Sequence, residues 1–476
     1  MDRRSKVTVG LLIVALVAVA GGLWHRFQPG RPAQPAAKQY RVLTSGMVEA
    51  EATHRAILAE AMLVPKEMEA AQAQSRGVPP PPILNGAPPE TLAPEPPAEK
   101  APGPELPEVP PSQQVRIGFS GGAVGDTDPC GCAHNPLGGL AKRVRWWMQQ
   151  TQGRPNTLAF DVGGLMVPNV PNTVDRPGEA VARADVFLRS MARAGYAGLN
   201  VGAHELALGL ADLRRLAAAH HIPLLSANLY DSSGKSAFQR VLIKQVGPVK
   251  VGVFGLITGQ PMDVVHTLSE NALHVEAPNL VAGTVVKELR EQGCQLIVVL
   301  SQLSRMEVDS LMSQVKGIDL VLGSVNMDLT TELLANGEGF FSDTFTKGKY
   351  MGLVTISVRG SGHLYAANMT AALNAQRAEL ATQVQSLQAQ IDQAGDPHAP
   401  LKLTKETREI IDHQLAALRA RMQRVTLDID SGVTIPKDAN TVELEMVGMG
   451  QDLPDDPDSL KWIDKLKVKY PKVAGH

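Results

Sequence analysis

From Val115 to Met327, short apolar runs alternate with amphipathic stretches, and this alternation restricts the fold of the chain more than any other feature. VRIGF is followed by LAKRVRWWMQQ, TLAFDVG by AVARADVFLRSMARAG, and GLNVG by ALGLADLRRLAAAHH. LLSAN and VGVFGLI come next, then LVAGTVVKELREQG before LIVVLSQ, and VDSLMSQVKG before DLVLGS. Short apolar runs suit buried strands, and apolar residues three and four apart suit helices with one buried face. Strand and helix taking turns predict parallel strands with helical crossovers, the α/β class. Such sheets gather ligands at the carboxyl ends of their strands. Asp161, His204, Gln302 and Met327 all fall just past predicted strand ends, and the loop bearing Cys130 follows the first strand. One candidate crevice is thereby defined.

The N-terminal quarter has no such pattern. MDRRSKVTVGLLIVALVAVAGGLWHRF sets Arg3, Arg4 and Lys6 before an uncharged run from Val7 to Trp24. That run is at the short limit for a helix crossing a bilayer, and Ala18-Val19-Ala20 also suits a signal-peptide cleavage site. An uncleaved anchor is favoured, because apolar character continues to Leu23 and Trp24. In either case the basic flank stays in the cytoplasm and the remainder is exported, so the expected location is the inner membrane with the globular part in the periplasm. Residues 47–74 have a weak helical pattern broken by Pro65, and proline dominates from Gly77 to Pro111. Such a stretch buries little core and reads as an extended spacer.

Lys and Arg total 46 against 48 Asp and Glu, with no basic run interleaved with aromatics, so nucleic acid is not an expected partner. Three cysteines are too few for a disulfide framework. Cys294, just before LIVVL, reads as a small core residue. No Cys-x-x-Cys-His sequence is present, which excludes covalent haem attachment within this chain.

Eight segments in order carry a resemblance: VRIGFS (115–120), GGLAKR (138–143), LAFDVGG (158–164), LNVGAHE (199–205), LLSANL (224–229), VGVFGLIT (251–258), LIVVLSQ (296–302) and DLVLGSVNM (319–327). Together they resemble the N-terminal catalytic domain of the 5'-nucleotidase family, a calcineurin-like metallophosphoesterase sandwich with two metals at the strand ends. The resemblance implies Asn-Asp-x-His after the first strand and Asp-x-Gly-Asp after the second. Further on it implies Gly-Asn-His-Glu, a lone His and a His-x-His pair. Two divalent ions need such carboxylate, amide and imidazole ligands to activate water and clamp phosphate. This chain departs from nearly all of them. Its first strand runs into Ser120, Gly121 and Gly122, and Gly164, Ala203, Gln302, Val325 and Met327 occupy the other ligand positions. Asp161, His204 and Glu205 survive, and His204 matches the family residue that assists the leaving group. Asp161 and His204 are the candidate catalytic residues. Three or more ligands per ion is the usual minimum, so a dinuclear hydrolase is not expected. Structural alternatives stand beside these roles: Asp161 can cap the following turn, His204 can be a hydrogen-bonded relic, and Asn228 can be a turn residue. His220 and His221 close a helix pattern, where a cation suits the dipole.

In place of the first metal loop stands AVGDTDPCGCAHNPL. It resembles a bacterial branch of the family in which a Cys-Gly-Cys loop precedes Gly-Gly-Leu-Ala-Arg-Arg, here ending in Lys142 and Arg143, and that branch implies no particular reaction. Three readings stay open. Cys130 and Cys132, joined by His134 or Asp128, can hold one soft ion such as zinc or copper. The two thiols can cycle with a strained disulfide. Or the loop is a tight turn shaped by Pro129, Gly131 and Pro136.

After YMGLVTISVRG the family continues into a substrate-specificity domain, for which too few residues follow here. Instead Leu380, Val384, Leu387 and Ile391 form one stripe, and Ile411, Leu415, Leu418, Met422 and Val425 another, separated by AGDPHAP. The spacing predicts a coiled-coil-like antiparallel helical hairpin packed within itself, with a surplus face for self-association or a protein partner. TVELEMVG reads as a returning strand and DPDSLKWIDKLKVKY as a terminal helix. The expected layout is an anchor or signal at 1–27, a Pro-rich linker at 28–112 and the α/β sandwich at 113–371, followed by the hairpin at 372–428 and a strand and helix at 429–476. The expected function is an exported, membrane-tethered phosphoesterase-like protein that acts in binding or assembly. The alternatives are a thiol-redox or mononuclear-metal enzyme using the Cys-Gly-Cys loop, or residual 5'-nucleotidase activity.

Overall fold

The computed structural model describes residues 107–130, 136–167, 177–260, 262–325, 329–360, 363–395 and 404–471. The predicted anchor, most of the linker, Cys132, His134 and Met327 lie outside these residues. Among the described residues no helix is long and apolar enough to cross a membrane.

The chain opens with β1 (Gln114–Ser120), α1 (Leu140–Thr151), β2 (Thr157–Asp161), α2 (Pro177–Ala194), β3 (Gly198–Asn200), α3 (Ala203–Leu206), α4 (Leu210–Ala219) and β4 (Leu224–Leu225). It continues through β5 (Leu229–Asp231), β6 (Leu242–Val246), β7 (Val249–Ile257), α5 (Met262–Glu270), β8 (Leu273–Val275), α6 (Pro278–Glu291), β9 (Leu296–Gln302) and α7 (Arg305–Gln314). The last part holds β10 (Leu320–Gly323), β11 (Leu334–Asn336), β12 (Gly339–Asp343), β13 (Tyr350–Ser357), β14 (Leu364–Ala366), α8 (Met369–Gly395), α9 (Lys405–Ser431), β15 (Asn440–Gly448) and α10 (Pro457–Lys469).

Two large sheets result, ordered β14-β15-β13-β1-β2-β3-β4 and β11-β12-β10-β9-β7-β6, beside a small β5-β8 pair. Strands β1 to β4 are parallel, as are β7, β9, β10 and β12. The strands expected to be parallel are so, and the antiparallel members lie outside that alternation; where two strands meet at a short turn the chain can only reverse. Val246 pairs with Val249 across a two-residue turn, making β6 antiparallel to β7. β13 is also antiparallel to both β1 and β15, to which long connections lead rather than a turn.

Alternation along β1 shows how the layers form. Val115, Ile117 and Phe119 point into the core shared by the two sheets, with Val251, Val253, Val298, Leu300, Leu320 and Leu322 facing them from the second. Gly118 faces the other way, where a Cβ would stand 2.1 Å from the Trp147 ring, so α1 lies directly on the strand. Helices α1, α2, α4 and α10 cover the outer face of the first sheet, and α6 and α7 cover that of the second. β9 is buried along its whole length, which is why LIVVLSQ shows no polar alternation.

The long helices α8 and α9 pack along each other in two small clusters, one built on Leu373, Leu380 and Val425 and one on Ile391, Ile411 and Leu415. Their contacts are not confined to themselves. Ala372 is buried in the inter-sheet core, Ala375 packs against the second sheet's outer cluster, and Arg421 pairs with Asp309 of α7 at 3.5 Å.

Candidate functional site

Parallel strands and their crossovers bring the ends of β1, β2, β3, β9 and β10 to one place. There Asp161 terminates β2 and is 1 % exposed. Its Oδ2 accepts the Ser120 hydroxyl at 2.8 Å and its Oδ1 accepts the Gly163 N–H at 3.0 Å, so it does cap the turn that follows. Ser120 in turn lies 3.0 Å from the Tyr196 hydroxyl. Burial pushes the Asp161 carboxyl up to about 7, against the pull of nearby Arg143 and of its hydrogen bonds. Burial likewise raises the Tyr196 phenol to about 12. Arg143 itself is 3 % exposed, and its Nε and Nη2 reach no hydrogen-bond partner among the described residues.

Two residues that the sequence reading left without a role organise this end of the sandwich. Glu205, fully buried on α3, accepts the N–H groups of Gly164 at 3.1 Å, Leu165 at 2.6 Å and Gly202 at 2.8 Å. It thereby clamps the loop after β2 to the loop after β3. Asn200 Nδ2 lies 3.1 Å from Val162 O, 3.2 Å from Leu256 O and 3.0 Å from Leu300 O, tying carbonyls of both sheets. An Asn and a Glu bracketing an apolar strand end were the available signal. His204 is half-buried, and its Nδ1 meets the Val167 carbonyl, which requires the proton on Nδ1. His220 pairs with Asp185 at 2.7 Å, and Asn228 joins Ile257 and Glu276 through their backbones. Both are structural.

The ligand positions of the resemblance are filled by protein. Gln302 is 7 % exposed and donates to Val162 O at 2.9 Å and to Ser324 Oγ at 3.2 Å. Gly164 has φ +73°, and a Cβ there would stand 3.3 Å from Gly122 Cα and 3.6 Å from Gln302 Oε1. At Gly121 a Cβ would lie 2.5 Å from both Ser324 Oγ and Val162 Cγ2. The loops after β1, β2 and β10 have therefore closed onto one another where bridging side chains would project. Among the described residues no three of His, Cys, Asp and Glu converge well enough to hold an ion. These residues do not fit a dinuclear centre.

The backbone at this end is strained. Val124, Phe345 and Lys347 all have positive φ, at 44°, 65° and 60°, a conformation that costs non-glycine residues energy unless neighbouring bonds enforce it. Such bonds exist: Val124 N donates to Gly164 O at 2.8 Å and Lys347 N to Gly122 O at 2.6 Å.

At the neck of the cysteine loop, Cys130 N donates to Leu137 O at 2.8 Å, and Leu137 N donates to Cys130 Sγ at 3.2 Å. Pro129 and Gly138 bridge antiparallel beside them. Cys130 is half-buried against the inter-sheet core, and Asp128 is held by Lys467 Nζ. Cys132 and His134 lie outside the described residues. Cys294 is 3 % exposed, and burial raises its thiol.

No protein-family model matches the sequence, and no curated protein does. Solved structures do. The sulfate thiohydrolase SoxB of Thermus thermophilus, in complex with glycerol, superposes with TM-score 0.50 at 14 % identity, covering 76 % of this chain and 62 % of that one. A 5'-nucleotidase precursor from Thermus thermophilus gives 0.44 at 22 %, covering 58 % and 60 %, and the Haemophilus influenzae NAD nucleotidase 0.48 at 14 %, covering 75 % and 60 %. This chain spans about 60 % of the length of each. At these identities only the architecture is shared: the chain has a mixed α/β fold like that of the SoxB structure.

Proposed function

We propose that this chain is an exported, membrane-tethered member of the 5'-nucleotidase-like fold that acts by binding or assembly and does not hydrolyse phosphate esters. One observation carries the reading. Gln302, Ser324 and the glycines 121, 122 and 164 pack together where metal ligands would have to stand. The surviving polar residues serve the fold: Asp161 caps a turn, Glu205 clamps two loops, and His204 is tied to a carbonyl. The N-terminal apolar run and the proline-rich spacer support the export and the tether, and the long helix pair supports a contact with a protein partner or a second copy. The direct test is phosphomonoesterase and nucleotidase assay of the full-length protein with manganese, zinc or cobalt. No turnover above background is expected. Turnover near the common enzyme range of about 1 per second or more, abolished by His204→Ala, would overturn the reading.

A second reading, thiol redox or mononuclear metal chemistry at Cys130 and Cys132, is favoured by the Leu137 N–H aimed at Cys130 Sγ. A donor to sulfur favours the thiolate, the form that binds metal and attacks disulfides. On this reading alkylation after mild reduction labels the loop cysteines before Cys294, and zinc or copper bound in one-to-one ratio protects them until Cys130→Ser releases it. Equal labelling of Cys294 in the folded protein would rule out a functional loop.

A further inference from the structure

Helix α10 has one face in the core and another that nothing among the described residues covers. Ile463 and Leu466 pack inward on the first sheet's helical layer, and Trp462 lies half-buried with the Arg189 guanidinium 4.1 Å from its ring centre. On the outer side Leu460 is 38 % exposed and Val468 84 %. Lys461, Lys465 and Lys469 recur every fourth residue beside them, all exposed, and none pairs with an acid among the described residues. Asp464 is the single acidic residue on that face. The other nearby charges are engaged, Asp458 with Arg193 at 3.0 Å and Lys467 with Asp128.

We propose that the outward face of α10 docks on an anionic lipid bilayer. A helix lying in the membrane interface puts apolar side chains just below the headgroups and lysines among them, with the lysine stems following the apolar surface. Lysines near a negatively charged leaflet each add a modest attraction. A folded protein partner suits this face less well, because two separated apolar side chains make a small contact and flexible lysines are depleted from protein interfaces. The inference rests on the tether in the proposed function, since an anchored chain holds α10 at high effective concentration near the bilayer, where a weak surface suffices.

The experiment uses the full-length protein reconstituted into vesicles of phosphatidylcholine alone or mixed with phosphatidylglycerol. A water-soluble acetylating reagent and mass spectrometry then report the rates at Lys461, Lys465 and Lys469, with exposed Lys437 as internal control. Acetylation of the three is expected to be slower by about threefold or more on phosphatidylglycerol vesicles, to recover in high salt, and to be less protected in the Leu460→Ser, Val468→Ser double variant. Equal rates on both vesicles would overturn the proposal. So would protection that persists in detergent, which would assign the face to a protein contact. If the protein does not float with phosphatidylcholine vesicles the tether reading fails, and the same labelling with phosphatidylglycerol vesicles added from solution still decides the α10 surface.

Discussion

Around the strand ends, Glu205 alone gathers three backbone N–H groups and Asn200 reaches carbonyls of two strands and of the loop after β2. Along the distal halves of α8 and α9, by contrast, Val384, Leu387, Ile391, Ile411 and Leu415 form a cluster of their own among the described residues. The first region is held by many directional bonds converging on few side chains, so a single change there reaches both sheets. The second is a narrow seam whose loss stays local. Buried polar residues at the strand ends thus hold the fold together, while the distal part of a long helix pair can be nearly independent of it.

The sharpest break in this comparison is Glu205→Ala. It would leave three buried N–H groups without an acceptor, each costing about 1–3 kcal/mol, so denaturant unfolding should show a loss of about 5 kcal/mol. A loss below about 1 kcal/mol would mean that the clamp is not what holds the loops.

Next in size is a pH effect. The Asp161 carboxyl is held near 7 in the folded protein against an ordinary 3.8. Its raised value means that the folded state keeps a proton the unfolded chain releases, so its stabilising contribution is complete below about pH 4 and is lost as pH rises through 7. The change is on the order of 4 kcal/mol. Stability measured from pH 4 to pH 8 should decline accordingly in the wild type, and Asp161→Asn should flatten that decline. An unchanged slope in the variant would place the titration elsewhere.

The smallest effect belongs to the helices. Replacing residues 384–418 by a short turn removes the distal cluster but keeps Ala372, Leu373, Leu380 and Val425, which serve the sandwich and the base of the pair. Sandwich stability should change by less than about 1 kcal/mol, whereas self-association or partner capture through the helices should fall. Cooperative unfolding of the whole domain would show that the pair is integral to it. The hairpin boundary expected at residue 372 would cut into the inter-sheet core, because Ala372 belongs to that core.

Much of the architecture was legible because strand and helix periods come from local sequence. LIVVLSQ and VGVFGLI became fully or nearly fully buried strands, and GGLAKR led into α1 across Gly138 and Gly139 at φ near 100°. What could not be read was direction where a turn replaced a crossover, as at Val246 and Val249. Nor did the pattern of missing ligands say what stood in their place.

The chain by itself determined that strands would alternate with helices and that Ser120, Asp161, Asn200 and Gln302 would fall at strand ends, since residue type and period are local properties. Only the tertiary structure decided that the loops at those ends close onto one another. Gln302 reaches Val162 and Ser324 across 140 and 22 residues of sequence, Glu205 spans 41 residues to Gly164, and Gly122 packs beneath Gly164. The same holds for α10, whose inner face is buried against helices begun some three hundred residues earlier. Contacts between positions so distant depend on how the two sheets stack, and no local pattern of residues encodes that distance.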